Sequence, residues 1–101
     1  MKKIKNEKTN ITENKLKFEG DKTKTLDYRH LIEHTLDIVP QGGFTPADIR
    51  ERNRIQNSLD GDVEKDLSFE DADYQALVKI VGLSRWSIRE SDLVKFLERI
   101  K

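Results

Sequence analysis

Apolar side chains recur at helical spacing along four segments of this chain, which predicts four amphipathic helices. The first is predicted over residues 25–39, where apolar residues share one side of the helical wheel and both histidines lie on the other. Pro40 and the glycines after it are expected to end this helix, because proline disfavours helical geometry in the residue before it.

The second helix has the clearest start signal and is predicted over residues 46–59. Thr45 is a suitable N-cap, Pro46 fits the first helical position, and an aspartate follows near the positive end of the helix dipole. Phe44 is expected to pack on Ile49 across the start of the helix.

Two more helices are predicted in the second half of the chain. One is expected to begin at an N-cap at Ser68 and to stop at Gly82, with apolar residues over most of its circumference. It should therefore form the centre of the core. The other is expected to begin at an N-cap at Ser91, and its C-terminal Lys and Arg residues suit the negative end of its dipole.

Only a short stretch before the helices shows the alternation of a strand. Leu16 and Phe18 alternate with charged residues, and we expect this strand to pair with the extended segment around Trp86-Ile88. Residues 1–13 are Lys-rich and have little to bury, so they are predicted to be a mobile basic tail. Residues 14–101 are predicted to form a single helical domain.

These elements together predict a mostly α protein, built as a small four-helix bundle or an orthogonal array of helices. The chain has 101 residues, which suits one hydrophobic core. A chain this short gains stability by covering residual apolar surface in a symmetric interface, so a homodimer is compatible with the sequence.

Charge and composition exclude several classes of protein. The formal net charge is zero, but residues 1–24 carry eight Lys against four acidic residues, which leaves a charge of −4 for the remainder. The absence of Cys excludes disulfides and thiolate metal sites. No apolar run approaches the roughly 18 residues that cross a bilayer, and the Lys-rich start does not resemble a secretory signal. We therefore expect a cytoplasmic protein with no membrane contact.

The string from His30 to His34 matches the H-x-x-E-H pattern of one group of zinc proteases, with Glu33 in the catalytic position. Such an enzyme also needs a carboxylate ligand from another helix and a substrate cleft, and this chain is small. The histidines also fall on the polar side of the predicted helix. We interpret the string as a solvated helix face, with adventitious metal binding left open, and we expect no catalytic site, no metal centre and no cofactor.

A strip of Arg and Asn side chains runs along the predicted second helix. Arg50, Asn53, Arg54 and Asn57 share one outward side, and such side chains can form bidentate hydrogen bonds with base edges. Lys2, Lys3, Lys5 and Lys8 could add phosphate contacts. Acidic neighbours and the charge of −4 over residues 25–101 oppose this interpretation. The loop before the helix is also longer than the turn of about three or four residues in a helix-turn-helix.

Two further residues have alternative roles. Arg52 falls within the apolar stripe of the second helix, so we expect its side chain to reach solvent or to pair with Asp71 or Asp73. A structural ion pair is favoured, and an interface anchor is the alternative. Trp86 lies between Arg85 and Arg89, where it is either a core residue under a loop or a binding hot spot.

The sequence favours a small non-enzymatic interaction or adaptor module that presents a preformed helical surface to a protein partner. The alternative is a regulator that binds nucleic acid through the strip and the Lys-rich tail. The candidate binding residues are Arg50, Asn53, Arg54, Asn57, Arg85, Trp86 and Arg89.

Overall fold

The computed structural model describes residues 2–12, 25–60, 66–86 and 89–100. Within these ranges the chain forms four strands and four helices. The strands are β1 (Lys2–Lys5), β2 (Lys8–Thr12), β3 (Thr25–Asp27) and β4 (Asp66–Phe69). The helices are α1 (Tyr28–Asp37), α2 (Pro46–Leu59), α3 (Asp71–Leu83) and α4 (Ser91–Arg99).

The fold is a mixture of helices and strands, so the prediction of a four-helix bundle or orthogonal array is wrong. Two antiparallel sheets of two strands each accompany the helices: β1 pairs with β4, and β2 pairs with β3. In the first sheet Ile4 lies opposite Leu67, and both side chains are buried. The N-terminal strand β1 thus finds its partner in β4. The predicted pairing of a strand around Leu16 and Phe18 with the segment around Trp86-Ile88 involves residues outside the described ranges.

Residues 2–5 and 8–12, which fall in the segment predicted to be a mobile basic tail, form strands β1 and β2 in the structure. Ile4 and Ile11 are buried in the common core, and the Thr9 hydroxyl donates a hydrogen bond of 2.6 Å to the carbonyl of Leu26. Each buried residue alternates with exposed Lys or Asn, which is the period of a strand with one wet face. The strand predicted around Leu16 and Phe18 lies outside the described residues.

Helix α2 confirms its predicted bounds because its start signals are local. The Thr45 hydroxyl accepts a hydrogen bond from the Asp48 N–H at 3.1 Å, and the Asp48 carboxylate accepts one from the Thr45 N–H at 3.0 Å. This reciprocal pair is a capping box, with Pro46 at the start of the helix as predicted.

Helix α1 begins three residues later than predicted, and α3 and α4 are not capped by the serines predicted to cap them. Asp27 ends β3 and caps α1, where its carboxylate accepts a hydrogen bond of 3.0 Å from the His30 N–H. Ser68 belongs to β4, and α3 follows Glu70. Ser91 is the first residue of α4 and is not its cap. Neither Glu70 nor Glu90 provides a side-chain cap, so packing of the apolar faces determines where these helices begin.

The core lies between the two sheets and the four helices. Phe96 is fully buried and meets the ring of Tyr28 edge-on, with 5.1 Å between centroids. Residues from every strand and helix join this cluster, including Leu31, Ile55, Leu67 and Leu77. No helix in the described ranges is both long enough and apolar enough to span a bilayer.

Candidate functional site

Exposed apolar side chains gather around Arg52. In the described part of the chain five large hydrophobic residues are exposed, and four of them line two grooves that share Arg52 as a wall. The four are Val39, Phe44, Ile49 and Leu83. We call this surface, with Arg52 at its centre, the Arg52 face.

The larger groove of the Arg52 face lies where three helices end or begin. It runs between the C-terminal ends of α1 and α3, and the first turns of α2 form its third side. Its volume is about 370 Å³. Val39 and Leu83 stand on its walls with 62% and 74% of their surface exposed, so the apolar surface there is open to a partner. We call it the α1–α3 groove.

The smaller groove has a volume of about 340 Å³ and lies on the other side of Arg52. Phe44 and Ile49 line it, together with Leu36 and Asn53. The predicted contact of Phe44 with Ile49 does not bury either residue, since both are exposed. This groove is called the Phe44 groove below.

Three contacts fix the Arg52 side chain between the grooves. Its Nε donates a hydrogen bond of 3.1 Å to the carbonyl of Leu36, and its Nη1 lies 3.9 Å from Oδ1 of Asp48. Its guanidinium carbon also lies 4.9 Å from the centroid of the Phe44 ring. The side chain is only 13% exposed, so the aliphatic part of Arg52 packs against neighbouring residues and the guanidinium is held in place.

The predicted carboxylate partner of Arg52 is therefore wrong, although the need for a partner is confirmed. Asp48, one helical turn earlier on α2, takes the place of Asp71 or Asp73. Asp73 instead pairs with Arg54, whose Nε lies 3.2 Å from its Oδ1. Arg54 thus reaches across from α2 to α3.

The loop between α1 and α2 forms a rigid wall of the α1–α3 groove. The Gly43 N–H donates a hydrogen bond of 2.9 Å to the carbonyl of Pro40, and Gly42 between them has φ of 86°. A positive φ at the third residue is the requirement of a type II turn, which glycine meets without strain. The turn positions Val39 and Pro40 beside the end of α3.

Charged side chains on the α1–α3 groove are unevenly paired. A hydrogen bond from the Thr45 backbone N–H, followed by one with its hydroxyl, holds the pKa of Asp48 below its usual value. This carboxylate is therefore charged at neutral pH and faces Arg52. Lys79 and Arg85 are exposed on the α3 side, and neither makes an ion pair within the described residues. Glu51 is the other anion of the lining.

The predicted Arg and Asn strip is exposed on α2, but it is not a uniform basic surface. Arg50, Asn53, Arg54 and Asn57 are all exposed. Arg54 is held by Asp73, and Asn53 lines the Phe44 groove. Of the lysines expected to assist the strip, Lys2 instead lies over the ring of Tyr74, 5.4 Å from its centroid.

Trp86 packs against the core, which is one of the two roles that the sequence left open for it. Its ring is half-buried, meets Phe96 edge-on at 6.2 Å between centroids, and lies 5.5 Å from the ring of His34. Its Nε1 is buried without a hydrogen-bond partner among the described residues. Arg85 and Arg89, which flank it in the sequence, are both exposed, whereas the aromatic ring is partly covered. Of these two, only Arg85 lines the α1–α3 groove.

The two histidines have separate partners. Nδ1 of His30 pairs with Oδ1 of Asp27, the N-cap of α1, whereas His34 packs on Trp86. Within the described ranges no three potential metal ligands gather at one point. The carboxyl of Asp27 is partly buried, which raises its pKa, but hydrogen bonds from His30 and Asn6 outweigh that effect and leave the pKa lowered.

Sequence reasoning missed most of the Arg52 face. Val39 and Ile49 appeared to belong to apolar stripes that would be buried, and Leu83 lies just past the predicted helix stop. The spacing of Asp48 and Arg52 was a usable signal, because residues four apart are neighbours on a helix. Comparison with family models, curated proteins and solved structures finds no match to this chain.

Proposed function

We propose that this protein is a non-enzymatic interaction module that binds a protein partner through the Arg52 face. The observation that carries the proposal is the clustering of exposed apolar residues there. Exposed hydrophobic residues scattered singly are ordinary on any protein surface. Four of the five in the described part of this chain meet around one arginine, which is the arrangement of a contact patch.

The chemistry of the face supports a protein partner. Protein interfaces are enriched in aromatic residues and arginine, and their strongest contacts lie in places that lose water on binding. Here Phe44 stacks against Arg52, and Val39 and Leu83 offer two accessible aliphatic side chains. The hydrogen bond from Arg52 to Leu36 orders the cation before a partner arrives, which lowers the entropy cost of association.

Nucleic acid is the weaker proposal for this surface. Phosphate binding needs a row of free cations, yet Arg54 is paired with Asp73 and Arg52 faces Asp48. Lys79 and Arg85 have no ion pair among the described residues, but they border exposed apolar side chains that a phosphate backbone would leave uncovered. Glu51 adds a further negative charge to the same side of α2. A titration with duplex DNA at two salt concentrations tests this alternative, since binding through phosphates weakens steeply as salt rises.

A selection from a library of random linear peptides, displayed on phage, tests the proposal without a known partner. We expect enriched peptides to bind the purified wild-type protein and to lose about tenfold or more in affinity on Leu83→Asp. Val94→Asp is the matched control, because Val94 is the fifth exposed hydrophobic residue and lies on α4, away from both grooves.

Circular dichroism and urea unfolding of both variants establish that they fold. The proposal is refuted if no peptide is enriched above an unrelated protein. It is equally refuted if the Val94 and Leu83 variants lose affinity alike.

A further inference from the structure

We infer that the segment received by the α1–α3 groove is acidic as well as apolar, with carboxylates directed at Lys79 and Arg85. This inference rests on the proposed function and specifies the chemistry of the partner. It follows from which charges of the groove are already satisfied and which are not.

The apolar requirement comes from the walls. Val39 and Leu83 lie at different helix ends and line the same groove, so the groove offers apolar surface on two of its walls to an aliphatic or aromatic side chain. Their exposures of 62% and 74% leave most of each side chain to be covered by the partner. Burial of such surface supplies the main attraction.

The acidic requirement comes from the α3 side of the groove. Lys79 and Arg85 lie on this side, are exposed, and have no ion pair within 4 Å among the described residues. Lys79 attracts the Asp48 carboxylate from a longer distance, and this is the weakest of the influences on the Asp48 pKa. On the α2 side the Asp48 carboxylate accepts a hydrogen bond from the Thr45 N–H and faces Arg52. Glu51 is then the one anion of the described lining that has no ion pair with a described residue. The cations left for a partner therefore outnumber the anions and are concentrated on one side.

This asymmetry also orients the partner. A carboxylate near α3 gains from Lys79 and Arg85, whereas a carboxylate near α2 is repelled by Glu51. We therefore expect acidic residues on only one side of the apolar anchor.

The same peptide selection, repeated on charge variants, tests the inference. Peptides enriched by the wild type should contain an apolar residue next to Asp or Glu, and their affinity should fall as salt rises. The double variant Lys79→Glu, Arg85→Glu should bind them about tenfold or more weakly and should itself enrich basic peptides.

The control variant Lys3→Glu, Arg99→Glu changes the net charge equally at exposed positions that do not line the groove. It should keep the wild-type preference for acidic peptides. If it loses that preference, overall charge and not the groove is responsible, and the inference is overturned.

The remaining outcomes separate the inference from the proposed function. Enriched peptides without acidic bias whose binding still depends on Leu83 would overturn the inference and leave the proposed function standing. No enrichment at all would refute the proposed function. A wild-type dimer in sedimentation velocity that Leu83→Asp dissociates and Val94→Asp does not would identify a second copy of the chain as the occupant and overturn the inference.

Discussion

Replacement of Ile11 by alanine tests whether the first residues of the chain are structural. Ile11 is fully buried on β2, which pairs with β3. The exposed side of the same strand carries Asn10, whose backbone N–H donates a hydrogen bond of 2.7 Å to Asp92 on α4. The strand thus connects the N-terminal segment to the last helix, and removal of its buried side chain should affect the whole fold.

The expected size of the effect follows from what is removed. Ile11→Ala deletes three carbon atoms, and at about 0.8 kcal/mol for each buried methylene the transfer term alone is about 2.4 kcal/mol. The cavity left in a packed core adds to this, so a loss of about 2–5 kcal/mol is expected. A domain of this length has a free energy of unfolding of about 5–15 kcal/mol. The substitution should therefore remove a substantial fraction of the stability.

Urea unfolding monitored by circular dichroism measures this loss, and fluorescence of Trp86 provides a second probe from the opposite end of the chain. Asn10→Ala is the matched control, since its side chain is exposed and its backbone hydrogen bond is retained; it should change stability by less than about 0.5 kcal/mol. If Ile11→Ala also costs less than about 0.5 kcal/mol, β2 is not part of the folded core and the packing argument fails.

Three further predictions concern backbone and charge. Gly42→Ala should lower the free energy of unfolding by about 1–2 kcal/mol, because φ of Gly42 is 86°. Gly82→Ala within α3 should raise the free energy of unfolding by about 0.5–1 kcal/mol. Urea unfolding in which both substitutions change stability in the same direction would contradict this. The pKa of Asp27 is lower in the folded protein than its unfolded value of 3.8, so this carboxylate stabilises the fold above pH 3.8, and the stabilisation is lost as the pH falls through the folded-state pKa. The stability of Asp27→Asn should therefore depend less on pH in that range. An unchanged pH dependence of acid unfolding would count against the hydrogen bonds to Asp27. Burial, followed by a hydrogen bond with Glu7, raises the pKa of Tyr28 to about 12, so the stability of the wild type should fall between about pH 10 and 12. Tyr28→Phe should remove this pH dependence. In the folded Tyr74→Phe variant, where Tyr28 is the remaining tyrosine, a phenolate absorbance midpoint near pH 10 would exclude the shift.

Helix α2 was predictable because its signals lie within a few residues of one another. Thr45, Pro46 and Asp48 specify the start of the helix without reference to the rest of the chain. The starts of α3 and α4 have no such signals: Ser68 and Ser91 resemble caps, but one lies in a strand and the other inside a helix. For those helices the cost of ordering the first turn is offset by distant packing, which a local pattern does not contain.

The strands were not predictable for a related reason. In β1 a single isoleucine stands among lysines, so a short window contains too little apolar surface to offset the entropy of ordering. Its partner β4 lies about sixty residues away, with Lys2 opposite Phe69 and Ile4 opposite Leu67. Only this long-range pairing provides the hydrogen bonds and the apolar contact, and the Lys-rich composition therefore resembled a tail.

The apolar stripe of α2 connects the fold to the proposed function. Its C-terminal half, with Ile55 and Leu59, is fully buried, as a helix of a small domain requires. Its N-terminal half continues past the core, where Ile49 is 47% exposed and Arg52 occupies the centre of the stripe. A stripe needed only for folding could have ended with the core and become polar beyond it. The extension consists of Ile49 and the aliphatic stem of Arg52, which its hydrogen bond to Leu36 orders, and Val39 and Leu83 from two other helix ends border it. An exposed apolar patch around an ordered arginine is the kind of surface on which the proposed partner would gain most from burial.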